Sequence, residues 1–216
     1  SKVLTQVIGW VVSLAAVVFL FRWINTHEST VWQALGQLDW RWVAVSIVLF
    51  FPFFAFRAWA WELISTSAGY RGRRWQNWRM WAISELARYI PGNIWSLAVR
   101  YRGARSGGVD RRRSLVSLVI EAAALVGGAS LVTALTLPIG NVMMVAAVLA
   151  AGTLLVLFYG PRLTRRFRPQ ADVSTYPPAL PLYFRYIIAW AFYGAATACL
   201  WLAFPDHDGL TWWQAF

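Results

Sequence analysis

Glu85, Arg88, Arg100 and Glu121 are the residues whose types and surroundings point to chemistry, because each ionisable group stands in or beside an apolar run. A charge taken into hydrocarbon is costly unless it is paired or hydrated, and such charges mark binding or transport sites. Glu85 and Arg88 are three residues apart and can pair on one helix face. Between the two arginines lies Pro91-Gly92. Proline lacks an amide hydrogen and disfavours helix at Ile90, while Gly92 tolerates backbone angles other residues avoid. The stretch 84–100 therefore reads as the place where two half-helices meet at that break. Each is about 12 residues, or roughly 18 Å, against a hydrocarbon core of about 30 Å. Irregular backbone at that depth survives only where it is buried in protein or lines a wet cavity. The chemistry that suits the arrangement is capture of a phosphate: arginine stays charged and its fork makes bidentate contacts with phosphate oxygens. The second half-helix begins near Asn93, so its amide-rich end points at the same place. Arg88, Arg100, Tyr89, Asn93 and Trp95 are thus the candidate headgroup-binding residues, with Tyr89 and Trp95 lining the approach. Pro91 and Gly92 form the structural break, and Glu85 and Glu121 are charge partners. The plainer alternative is internal neutralisation that merely permits insertion.

The elements that must position these residues are helices in a membrane. The chain has 216 residues, 59% hydrophobic and 13% charged, with 15 tryptophans, a balance far from that of a soluble domain. Cys199 is the one cysteine and the histidines are only His27 and His207, so no intrachain disulfide, metal site or cofactor is expected. Nucleotide-phosphate loops, paired-glycine fingerprints, HExxH and GxSxG patterns are not in the sequence.

The apolar runs predict an all-α polytopic membrane protein forming a single transmembrane domain over 1–216, with about five spanning helices plus the broken pair. The spans read as Leu4 to Phe21, Trp40 to Leu63, Leu115 to Leu137 (capped by Ser114), Val142 to Tyr159 and Leu182 to Phe204. Arg57 and Glu62, near the end of the second run, are expected to snorkel to the interface. Trp75, Trp78 and Trp81 recur every three residues as an aromatic belt. The Gly127-Gly128 pair permits close helix packing beside Glu121, which could bring that carboxylate against an arginine of the broken pair.

Region 65–113 holds eleven arginines against Glu85 and Asp110, most of the chain's net charge of +11. The positive-inside rule places it, the loop 162–181 and the N-terminus in the cytoplasm, so the broken pair enters from that face. The charge is better explained by cytoplasmic loops and anionic lipid than by nucleic acid.

The run Arg88-Tyr89-Ile90-Pro91-Gly92-Asn93-Ile94-Trp95 with Arg100, then Gly107-Gly108-Val109, a basic stretch and Glu121, resembles the lysylphosphatidylglycerol synthase transmembrane family. These are flippase-like proteins related to the membrane half of the multiple peptide resistance factor. The likeness covers residues 1 to about 200. It implies a longer fold of which this chain is the N-terminal part, in the bacterial inner membrane. It also implies translocation of a phospholipid or a polyprenyl-phosphate-linked glycan, by a transporter rather than an enzyme. For partners it allows, besides the anionic lipid or lipid-linked glycan, a homo-oligomer or a partner membrane subunit. Two rivals are weighed: a polyprenyl-phosphate-dependent glycosyltransferase using Glu28 or Asp39 in the first external loop, and a non-transporting accessory subunit of a membrane complex.

Overall fold

The structure is a computed structural model that describes residues 14–15, 17–19, 21–26, 32, 35–90, 94–136, 140–167 and 176–204, with 141–142, 160 and 163–167 as backbone alone. Most of the expected span from Leu4, the break residues Pro91 and Gly92, and the candidates Asn93 and Glu28 lie outside the described residues. All regular structure among the described residues is helical. From Trp40 onward the helices are α1 (Trp40–Ser67), α2 (Arg74–Ala87), α3 (Trp95–Ser106), α4 (Arg111–Thr136), α5 (Gly140–Phe167) and α6 (Ala179–Leu202).

Two of these, α1 and α4, are long and apolar enough to cross a membrane, rather than about five. The physical reasons differ for the others. In α5 the apolar stretch is Met143–Tyr159, about 25 Å of helix against a hydrocarbon core of about 30 Å. In α6 the charge of Arg185 and the polar tips of Tyr183, Tyr186, Trp190 and Tyr193 dilute the apolar run.

The long helices form a bundle whose ends differ in charge. Asp39 caps α1, its carboxylate accepting from the Arg41 amide at 3.0 Å. The Asp39 amide donates to the Ala203 carbonyl at 2.9 Å, which ties the start of α1 to the end of α6. Near the other end, Arg185 of α6 donates to the Trp59 carbonyl of α1 at 3.1 Å, so the two helices run antiparallel. Leu157 of α5 packs with Leu182 of α6, Ile120 of α4 and Trp61 of α1 in one buried core. The last turns of α1 and α5 and the first turns of α4 and α6 therefore share one end of the bundle, where most of the arginines lie.

The glycine pair works as a packing seam. Gly127 takes the Tyr183 hydroxyl on its carbonyl at 2.8 Å, and that hydroxyl also reaches the Ala150 carbonyl at 3.1 Å. At Gly128 an added Cβ would stand 2.9 Å from Tyr186 Cβ. The start of α4 differs from expectation. The helix begins at Arg111, where the Asp110 carboxylate accepts from the Arg112 amide at 2.7 Å. Ser114 sits one turn inside, its hydroxyl donating to the Asp110 carbonyl at 2.8 Å. The Asp110 side chain, one turn earlier, takes the cap, and the Ser114 hydroxyl is occupied inside the helix.

Between α1 and α4 the chain makes a hairpin of short helices. α2 has 14 residues and α3 has 12, about 21 and 18 Å long. α2 runs back along α1: Trp78 donates to Glu62 at 2.8 Å and the Trp61 indole donates to Asn77 at 3.0 Å. Two loops lock the base of the hairpin, with the Arg71 amide donating to the Gly107 carbonyl at 3.0 Å and Tyr70 packed on Gly107. Burial there pushes the Tyr70 phenol upward in pKa. Gly108, at φ +89°, takes the left-handed turn that lets the chain leave α3 for α4.

Candidate functional site

The ionic groups of four helices meet about 15 Å from the basic end of the bundle, judged by Arg57 in α1 and Glu121 in α4 at 1.5 Å per residue. Arg57 is only 3% exposed. Its two terminal nitrogens donate to the two oxygens of Glu85 in α2 at 2.9 and 3.2 Å, a bidentate fork. Arg88, one residue past α2, donates to the same carboxylate at 3.1 Å. Arg100 in α3 donates to Glu85, to Glu121 and, through Nε, to the Ser84 hydroxyl at 2.7 Å. Glu85 is thus the hub of three guanidinium groups, while Glu121 pairs, among the described residues, with Arg100 alone.

Aromatic rings complete the cluster. The Trp81 ring lies 5.3 Å from the Arg57 guanidinium and 5.8 Å from that of Arg100. Phe53 stacks on Arg57 and Trp61 on Arg100. Rings so placed stabilise desolvated cations. The count of charges is three cations to two anions, and the excess is at Arg88, 44% exposed on its side chain.

Beside the cluster opens a pocket of about 620 Å³ between α1, α2, α4 and α6. One wall is aromatic, made by Phe50, Phe53, Phe54, Trp190 and Tyr193. The polar part of the lining is Arg57, Glu85 and Arg88, with the exposed Tyr89 beside them. That combination fits a molecule with one apolar and one anionic part, in the size range of ordinary ligand sites.

The sequence candidates fall unevenly on this geometry. Arg88, Tyr89 and Glu85 line the pocket, whereas Arg100 and Glu121 are buried behind it. All three guanidinium nitrogens of Arg100 are engaged by protein groups, which makes it a structural cation. Trp95 is half-buried at the first position of α3 and does not line the pocket. Sequence reasoning missed Arg57, expected to snorkel. The available signal was that no acid stands three or four residues from it in α1, so a buried Arg57 must find its anion on another helix. Glu62, expected to behave alike, is partly exposed and pairs with Arg74 at 2.9 Å. The tryptophan belt also divides: Trp75 is exposed, but Trp81 belongs to the core. Asp39, a candidate acid of the glycosyltransferase reading, serves as the cap of α1.

Among the described residues no cluster of His, Cys, Asp and Glu has the makings of a metal site. No family model, curated protein or solved structure matches this chain.

Proposed function

We propose that this chain is a multi-pass membrane protein that holds a phosphate-bearing amphiphile in the pocket and moves it between leaflets, the amphiphile being a phospholipid or a polyprenyl-phosphate-linked glycan. The observation that carries the reading is the pocket itself, whose lining sets five aromatic rings beside Arg57 and Arg88. Short helices that turn back inside a bundle are a recurring device of transporters, because they leave polar groups and helix ends at mid-depth. Only 28% and 39% of the apolar windows of α1 and α4 are buried. Residues such as Phe51, Val119 and Phe184 face outward, which suits lipid as the surrounding solvent. The resemblance of the 88–100 stretch and Glu121 to flippase-like proteins points the same way, and α2 and α3 are then the arms of a re-entrant pair entering from the cytoplasmic side.

A substitution that fills the pocket tests this. Ala82 lines it from an exposed position on α2, so Ala82→Trp adds bulk there without disturbing the core. In liposomes carrying the reconstituted chain and a fluorescent anionic phospholipid, Ala82→Trp is expected to lower the rate of transfer between leaflets at least about tenfold, equivalent to about 1.4 kcal/mol in the barrier. A rate equal to the wild type's, with melting unchanged, would remove the pocket from the mechanism.

A further inference from the structure

We infer that Arg57, Arg88 and the Trp81 indole form a phosphate subsite whose built-in competitor is the Glu85 carboxylate. The inference rests on the pocket reading above and assigns its polar end.

Three observations carry it. First, three guanidinium groups converge on Glu85, with the Arg57 fork, Arg88 and Arg100 all on one carboxylate and only Arg100 shared with Glu121. Carboxylate and phosphate oxygens present the same acceptors to an arginine fork. The array is therefore an oxyanion site already filled by the protein's own oxyanion. Second, the filling is incomplete. Arg57 Nε and Trp81 Nε1 are buried donors with no acceptor among the described residues, and both residues line the pocket. Buried donors without partners are costly, so a ligand that supplies the missing acceptors recovers that cost. A phosphate has more oxygens than the carboxylate it displaces and can serve donors that Glu85 leaves unmet. Third, displacement leaves no acid stranded. Glu85 keeps Arg100 as a partner, and Arg100 keeps Glu121 and Ser84.

The aromatic wall next to the subsite fits a phosphate attached to a chain better than free phosphate, although the headgroup chemistry is common to both. Competition from within has a quantitative consequence. If Glu85 vacates the subsite about one tenth of the time, apparent affinity is about tenfold below intrinsic affinity.

The experiment uses the full chain in a maltoside detergent, which contains no phosphate. Binding of dihexanoyl phosphatidic acid, dihexanoylglycerol and inorganic phosphate is measured by calorimetry, with melting followed by circular dichroism. Glu85→Gln is expected to bind phosphatidic acid about tenfold more tightly than the wild type, and Arg88→Gln about tenfold more weakly. Glu85→Asp keeps the charge but draws the carboxylate back from Arg57, so it tightens binding by a smaller factor and decides the question if Glu85→Gln does not fold. Dihexanoylglycerol is expected to bind more weakly than phosphatidic acid. Inorganic phosphate matching phosphatidic acid would make the free ion the ligand of the same subsite.

Unchanged or weaker phosphatidic acid binding in the folded Glu85 variants overturns the inference, as does equal binding of the neutral and acidic lipids. Ala82→Trp separates this failure from failure of the pocket. If it abolishes binding of both lipids while the Glu85 variants behave as wild type, the pocket stands and the subsite falls. If it leaves both lipids bound, the pocket falls too.

Discussion

Arg88 and Glu121 both belong to the cluster, yet they should respond very differently to substitution. Glu121 is 4% exposed and neutralises Arg100 from α4. Replacing it with alanine removes an anion and leaves Arg100 to Glu85 and Ser84, so Glu121→Ala is expected to destabilise the fold by about 3–5 kcal/mol. Arg88 stands at the pocket mouth with its side chain 44% exposed, and its pair with Glu85 is one of three on that carboxylate. Arg88→Gln is expected to cost under about 1 kcal/mol. Equilibrium unfolding of both variants in mixed micelles checks the contrast. Comparable losses would show that Glu121 and Arg88 hold the fold alike, against their burial. The same contrast explains why one phosphate-binding candidate of the sequence stays at the pocket and the other moves behind it. Arg88 and Arg100 are the same residue type in similar apolar text. What separates them is Glu121, an acid expected beside one of the two arginines, and Ser84; that both occupy Arg100 is set by no local spacing.

At the scale of elements, what local physics punishes was legible, and what depends on partners far along the chain was not. The helical backbone of α2 ends at Ala87 and α3 begins at Trp95, as the penalty for helix before Pro91 requires. The cap of α4 was misplaced by one turn because two polar residues four apart compete for it, and only geometry shows Asp110 reaching the Arg112 amide. The partner of Arg57 was illegible because it lies 28 residues away on a helix that folds back. The glycine pair was legible as a seam, but its partners were not. Gly127 meets Thr153 and Tyr183, and Gly128 meets Tyr186 and Trp190. Gly128→Leu should therefore push α6 from α4, with a cost of roughly 1–3 kcal/mol from overpacking. It should also loosen the Trp190 indole, which donates to the Leu125 carbonyl at 2.9 Å. Thermal melting followed by near-ultraviolet circular dichroism reads both effects. A melt equal to the wild type's would mean the seam can open freely.

For the whole molecule, the division of charge between the two ends of the bundle sets the expected sidedness. Arg71, Arg73, Arg74, Arg111, Arg112 and Arg113 gather where α1 ends and α4 begins, and Arg162 lies near the end of α5 at the same level. The opposite end carries Asp39, Gly140 and Ala203, with Arg41 close by. Cytoplasmic loops hold the excess of arginine and lysine in membrane proteins. If α1 and α4 cross the membrane, the basic end faces the cytoplasm and the Asp39 end faces outward. The chain is convenient for testing this because Cys199 is its only cysteine. In a Cys199→Ala background, Arg73→Cys and Arg112→Cys should react with a membrane-impermeant maleimide only after the cells are opened. Gln37→Cys and Gly140→Cys, both exposed at the other end, should react in intact spheroplasts. Labelling of position 73 or 112 from outside would reverse the orientation, and the pocket would then receive its lipid from the outer leaflet. Labelling of all four positions from one side would mean that neither α1 nor α4 crosses, and the outward-facing apolar residues would then need a protein surface instead of lipid to cover them.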